Sequence, residues 1–202
     1  NDNVYEITQE EKLSSKSWMH NVRTALVYNI NEKNHLNVTY TGSFTPDGHN
    51  RSIADGSFQQ SNLDKFTDNK MNNITVQYSS GIGLEIGGDY TRYTSDNNQT
   101  MFTQLSDKNE NSYTLTGGQL IDRYSIYADQ KHNLTNNWGI GYGVAYRYAK
   151  DYDFQTYNNV TGNIQTENTE AKLNEQTASF YFSLNKNWTT GTSFSISATG
   201  EY

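Results

Sequence analysis

Large apolar residues recur at every second position through most of this chain, separated by polar or small ones. Val22, Thr24, Leu26, Tyr28 and Ile30 alternate with Asn21, Arg23, Ala25, Val27 and Asn29. After a polar turn at 31–34, Leu36, Val38, Tyr40, Gly42 and Phe44 alternate with Asn37, Thr39, Thr41 and Ser43. Two alternating runs across a short polar turn predict a β-hairpin. The unit recurs three times. Ile74, Val76 and Tyr78 lead through 79–81 into Ile82, Leu84, Ile86, Gly88 and Tyr90. Tyr124, Ile126 and Ala128 lead through 135–137 into Trp138, Ile140, Tyr142, Val144, Tyr146 and Tyr148. Ala178, Phe180, Phe182 and Leu184 lead through 185–187 into Trp188, Thr190, Thr192, Phe194, Ile196 and Ala198. The expected class is all-β: an antiparallel up-and-down meander of about eight strands in four hairpins, without a capped helix.

Between the hairpins, residues 46–69, 95–112 and 151–173 are polar and read as long loops, with a strand extension expected at Thr100–Leu105. Short turns at one end and long polar loops at the other are the asymmetry of an outer-membrane barrel. A sheet survives in lipid only when its backbone groups are all paired, so the meander is expected to be a closed barrel or part of a larger outer-membrane barrel. Residues 1–17 read as a polar N-terminal segment and 18–202 as the barrel or barrel-fragment domain. Leu26, Tyr40, Ile86, Ile140, Val144, Phe182 and Phe194 are expected on the apolar side. Aromatic residues at strand ends suit interfacial girdles: Trp18, Trp138 and Trp188 at hairpin bases or strand starts, and Tyr90, Tyr93, Tyr146, Tyr148 and Tyr152 toward the loops. The other face carries Arg23, Glu85, Asp89, Arg123, Asp129 and Arg147, the polar candidates for a lumen wall, among neutral Asn37, Thr39, Thr41, Ser43, Ser193, Ser195 and Ser197. In a closed eight-stranded barrel these charges would have to pair, whereas a wider barrel could hold them against water or a plug.

Composition narrows the chemistry. Only 33% of the 202 residues are hydrophobic, yet 13% are aromatic, and disordered chains are poor in aromatics. Asn, Thr and Ser together supply about a third of the chain, Pro46 is its one proline, and it has no cysteine. Disulfide scaffolds, cysteine-ligated metals, thiol catalysis and polyproline modules are excluded. The net charge of -7 argues against nucleic acid as a partner. No apolar run is long enough for a transmembrane helix. Without an initiator methionine or a signal-peptide pattern, the chain reads as a processed protein or a cut piece. His20, His35, His49 and His132 are dispersed, without metal-ligand spacing. Asp151, Asp153, Glu167 and Glu170 could offer oxygens to calcium but match no EF-hand loop, and solvated loop charge is their default reading. Ser125 and His132 share a hairpin without a nucleophile elbow. No catalytic residue, metal site or cofactor is expected.

The pieces "MHNVRTALVYNINEKNHLNVTYTGSF", "DRYSIYADQKHNLTNNWGIGYGVAYRYA" and "QTASFYFSLNKNWTTGTSFSISATGEY" share a texture of strand, short Asn/Lys turn and strand. In this the chain resembles the barrel portion of TonB-dependent outer-membrane receptors and related outer-membrane β-barrel proteins. The resemblance covers most of 18–202 and carries no residue-by-residue motif. It implies a Gram-negative outer-membrane location and a non-enzymatic part in nutrient uptake. It also implies lipid as surroundings, an extracellular nutrient as ligand and an inner-membrane energising complex as partner of the whole receptor. With only about eight strands and no plug-like segment, the chain would be a fragment of such a barrel. The alternative is a soluble or surface-exposed antiparallel sheet, extracellular or periplasmic, whose Tyr/Asn-rich face binds carbohydrate or protein. An outer-membrane hydrolase is a third class, for which no catalytic set can be assembled.

Overall fold

A computed structural model describes residues 8–106, 109–188 and 191–202. They form one antiparallel sheet of nine strands: β1 (Gln9–Lys16), β2 (His20–Asn31), β3 (Asn34–Gly56), β4 (Gln59–Ser79), β5 (Leu84–Leu105), β6 (Glu110–Asn133), β7 (Trp138–Thr161), β8 (Thr169–Asn187) and β9 (Ser193–Glu201). From β3 to β9 each strand pairs with the next in sequence, as the hairpin pattern predicts. β1 and β2 both pair with β3, β1 against His49–Gly56 and β2 against Asn34–Phe44. They behave as one strand interrupted at residues 17–19, so the sheet is eight strands wide and its ladder begins before residue 18. Opposite the break, the β3–β4 register shifts between Thr45 and Gly48. Pro46 has no N–H to give a ladder, and Asp47 sits in the left-handed region at φ 52. Among the described residues no pairing joins β9 to β1 or β2, so the sheet is open.

Three of the four expected turns fall where the sequence puts them. Gly83, at φ 84, donates to Ser80 O at 3.0 Å, and a Cβ there would lie 2.1 Å from Lys131 O, so the turn requires glycine. Thr135–Asn137 is a 3-10 turn whose Asn136 and Asn137 take left-handed φ values, which asparagine tolerates better than most residues. The fourth turn moves. Asn185–Asn187 stay in β8, and the chain reverses between Trp188 and Thr192, where Trp188 N donates to Thr192 O at 2.8 Å. Thr190, expected in a strand, lies outside the described residues.

The larger correction concerns the three long loops. β3 and β4 run on to Gly56 and Gln59, β5 and β6 to Leu105 and Glu110, and β7 and β8 to Thr161 and Thr169, so 46–69, 95–112 and 151–173 are mostly ladder. Polar and apolar residues mix on both faces there, which erases the period-two hydrophobic signal without weakening the backbone pairing. Side chains support it across strands: Thr116 Oγ1 donates to Asn98 at 2.9 Å, Gln99 Nε2 to Tyr113 at 3.1 Å, and Ser112 and Thr161 share a hydroxyl bond of 2.7 Å.

The register fixes two faces. Leu36, Tyr78, Ile86, Ala128, Val144, Phe180 and Gly200 share one row across the sheet. Even-numbered positions therefore share one face from β2 to β9 until the late bulge between Ser112 and Thr114, except past the Pro46–Asp47 bulge, where β3's odd positions take over. Among the described residues nothing covers either face. The accessible surface is 14572 Å², against roughly 9,600 Å² for a globular chain of this mass. Among the described residues Ala54 is the one buried apolar side chain, so the sheet has no core of its own.

Candidate functional site

The even face carries an uncharged apolar band. On β7 it runs from Trp138 to Tyr148, and on β3 from Asn34 to Phe44; no charged residue interrupts either stretch. Leu26, Ile126, Val144 and Phe180 are each about 60% exposed in the bare sheet. Contiguous apolar surface of this extent is rare on proteins that meet only water. Leu26, Tyr40, Ile86, Ile140, Val144, Phe182 and Phe194 all lie on this face, and Arg23, Thr39, Glu85, Arg147 and Ser195 on the other.

The band ends in aromatics. Tyr40, Tyr90, Tyr124 and Tyr148 occupy one row, with Tyr90 stacked on Tyr124 at 4.8 Å and Tyr148 6.3 Å from Tyr124. At the opposite end Lys186 lies over the Trp138 ring at 5.2 Å. Tyrosine hydroxyls point away from the middle of the band. Tyr40 donates to Asn72 at 2.8 Å, Tyr90 to Asp122 at 2.7 Å, Tyr148 to Asn174 at 3.3 Å and Tyr146 to Gln176 at 3.2 Å, all toward the long-strand end. Tyr78 donates to Asn34 at 3.1 Å, and Tyr142 bonds His132 at 3.1 Å, both toward the short-turn end. Tyr93 lies toward the long-strand end but on the odd face, and Trp18, just before the start of β2, stands at the end away from Trp138 and Trp188.

All six polar candidates share the odd face, in two groups and one outlier. Glu85 and Asp129 are register partners. Glu85 accepts from Gln77 at 2.8 Å and from the Tyr127 hydroxyl at 3.0 Å. Asp129 leans over β7: a Cβ at Gly143 would sit 2.0 Å from its Oδ1 and 2.4 Å from the Tyr181 ring. The small face of β7 thus has a reason, since glycine leaves the space in which a β6 carboxylate and a β8 phenol approach each other. Asp89 accepts from Ser125, whose other neighbour in the row is Arg147. Arg147 and Arg123 line a cleft of about 510 Å³ with Asp151 and Glu175. Arg23 stands alone on β2, in a row with Thr41, Asn73, Thr91 and Arg123. Among the described residues none of the six makes an ion pair: Glu85 and Asp89 bond neutral hydroxyls and an amide, and the arginines are exposed.

Beyond the tyrosine row both faces mix polar and apolar residues, and the even face keeps Phe66, Phe102, Tyr152 and Phe154. Every ion pair of the described residues lies here on the even-face side: Lys12–Glu10, His49–Asp64, Arg51–Asp64, Lys70–Asp68 and Lys172–Glu170. The odd face instead gathers Leu63, Met101, Leu115, and Tyr113 edge-on to Tyr157 at 5.4 Å. Of the acidic calcium candidates, Asp151 accepts from Gln119 at 3.2 Å and Glu170 holds Lys172 at 2.6 Å. Among the described residues no group of three His, Asp or Glu side chains could hold a metal ion.

Sequence reasoning missed the two phenols at the carboxylates, Tyr127 and Tyr181, and the outward cations Lys70, Arg92, Lys150 and Lys172. Parity was available for the cations, since all four are even-numbered; only Lys172 falls within an expected loop, 151–173, and Lys70, Arg92 and Lys150 stand at the loop edges. No protein-family model matches the chain, and no curated protein resembles it in sequence at a significant level.

Proposed function

We propose that this chain forms part of the wall of an outer-membrane β-barrel belonging to a nutrient-uptake protein of the TonB-dependent-receptor kind, without enzymatic activity. The observation that carries the reading is the uncharged band with its diverging tyrosine hydroxyls. Counted from the Leu36–Phe180 row, the ladder extends two residues to Asn34 on β3 and seven to Asn187 on β8, five strands away. That stagger of about one residue per strand corresponds to a tilt of roughly 36° in a closed barrel. Ten residue steps at about 3.3 Å then span roughly 27 Å along the barrel axis. Lipid-facing bands of outer-membrane barrels are about 25 Å tall and ringed by aromatics. A phenol near either interface lowers its energy by keeping its ring in lipid and sending its hydroxyl to the headgroups, which requires divergence about the midplane.

The odd face is polar at band depth, as a wall against a wet lumen must be. Past the band, about 30 Å of sheet project further, with aromatic residues on both faces and the ion pairs on the even one. A nutrient ligand would meet this projecting part first, and passage with an inner-membrane energising partner would be a property of the whole barrel. The alternative, a soluble sheet binding carbohydrate or protein, leaves the Leu26-to-Phe194 face against water.

The deciding experiment is extraction and electrophoresis. The chain is expected to need detergent to stay monodisperse and to migrate differently before and after boiling. A monodisperse detergent-free protein would remove the membrane reading and favour the soluble sheet.

A further inference from the structure

Immediately beyond the tyrosine row, the even face changes from uncharged to charged, with four cations and the single acid Asp122 in its first two rows and acids alone in the third. The first row past the tyrosines holds Arg92, Asp122 and Lys150 as register neighbours. The second holds Lys70 and Lys172, and the third holds Asp68, Asp96 and Glu170. Lys70 is the diagonal neighbour of Arg92 across β4–β5, and Lys172 of Lys150 across β7–β8. Such diagonals place residues about 7–8 Å apart, close enough for two side chains to converge on one tetrahedral anion. At the short-turn end of the band the even-face ladder offers only Lys186, already placed over Trp138.

We propose that these four residues bind the phosphorylated headgroup of a membrane lipid, Lys150 with Lys172 on one side of Asp122 and Lys70 with Arg92 on the other. The proposal rests on the membrane reading and adds a ligand to it. Depth is the first reason. The cations sit one and two rows past the tyrosines that mark the band's edge, which is where lipid phosphates lie. A second observation is an apolar hollow of about 650 Å³ over the small residues Ala128, Ala178 and Gly200, walled by Ile86, Val144 and Phe180. It lies on β5–β9, a few residues below Lys150 and Lys172, so one lipid could seat a chain in the hollow and its headgroup on the cations. The internal ion pairs do not close the site. Lys70–Asp68 and Lys172–Glu170 join side chains 38–65% exposed, and exposed pairs are weak enough to exchange for a phosphate. Tyr152 holds the Lys172 ammonium 5.3 Å from its ring centroid. Glu170, by hydrogen bond and then by charge, raises the Lys172 pKa above its ordinary value, so Lys172 is cationic at neutral pH.

The chain's net charge of -7 makes the test selective, because non-specific electrostatics would repel an anionic lipid. The full chain is reconstituted in phosphatidylcholine vesicles doped with spin-labelled phosphatidic acid or spin-labelled phosphatidylcholine, and the motionally restricted fraction of each label is compared. The wild type should prefer phosphatidic acid about fivefold, the value expected for one well-placed cation. The variant K70Q/R92Q/K150Q/K172Q should bring the preference to near unity, whereas K12Q/R51Q/K65Q, which removes cations further out, should retain it. Equal restriction of both labels by the wild type overturns the proposal, as does a preference that survives the fourfold variant or is lost in the threefold one. A chain that fails to float with either vesicle overturns the membrane reading, and the headgroup site with it. A chain that floats without lipid preference overturns the headgroup site alone.

Discussion

Replacing Val144 with arginine sets two surroundings of the even face against each other. Val144 is 60% exposed in the bare sheet and lies six residues from Trp138 and four from Tyr148. At roughly 2.7 Å of axial rise per residue, it stands about 16 Å from one end of the band and 11 Å from the other, close to the middle. An arginine on the lipid face costs about 2–4 kcal/mol at the bilayer midplane, falling to about 0–1 kcal/mol near the interfaces. Val144→Arg should therefore lower the folding equilibrium constant by roughly 30- to 700-fold. Gln176→Arg, beside Tyr148 in the edge row, should cost at most about 1 kcal/mol. Ala145→Arg is the internal control: one residue along β7, it points to the odd face beside Tyr127 and Ser179 and should cost about 0.5 kcal/mol or less. Reversible urea unfolding in lipid vesicles, followed through tryptophan fluorescence, measures all three. If the even face met water, an already exposed valine would tolerate arginine within about 0.5 kcal/mol. A Val144→Arg cost no larger than that of Ala145→Arg would refute the reasoning.

Four further outcomes are expected. Spin labels at Ile140 and Arg147 should report opposite accessibilities, Ile140 to oxygen and Arg147 to a polar relaxant; equal values at both sites would contradict the face assignment. Gly143→Val, which drives a Cβ into Asp129 and Tyr181, should destabilise by about 2 kcal/mol in the same unfolding assay, while leaving the even face unchanged. Asp47→Gly should raise stability by about 1 kcal/mol, because glycine takes the left-handed φ of 52 without steric cost, and Asp47→Val should lower it by more than that. Arg147→Gln should change stability by less than about 0.5 kcal/mol, as an exposed charge without an ion-pair partner would; a loss of about 3–5 kcal/mol would mark a desolvated, paired charge instead.

Strand type, strand order and face were legible in the sequence wherever one face was apolar, because a side-chain period of two leaves no other reading for runs such as Trp138 to Tyr148. Strand length was not legible. From Thr45 to Gly56 and from Gln155 to Thr161 both faces are polar or mixed, so the pattern looks like loop while the backbone remains in register. The break between β1 and β2 was half visible: Pro46 announces an interruption on β3, but nothing marks Ser17–Met19 as its partner across the ladder. Parity assigned all six odd-face charges correctly to one side. It could not say that the acids would bond Tyr127, Gln77 and Ser125 rather than the arginines, since those contacts depend on the exact register and on the space that Gly87 leaves open to the Tyr127 ring.

The odd face also bears on how wide the proposed barrel is. With one residue of stagger per strand, joining β9 to β2 would close eight strands around an interior only just wide enough for side chains. That interior would have to hold the phenols of Tyr127 and Tyr181 together with Arg23, Arg123 and Arg147. It would have to do so without an ion pair among the six charges, and an uncompensated buried charge costs about 3–5 kcal/mol. Water removes that cost, and a water-filled lumen needs more strands than eight. Backbone groups facing lipid without partners cost several kcal/mol each, so under the membrane reading the edges of β9 and β2 need partners, whether each other or further strands. On this reasoning the membrane reading of the even face and the exposed arginines of the odd face require each other: the first demands closure, and the second demands that closure be wide.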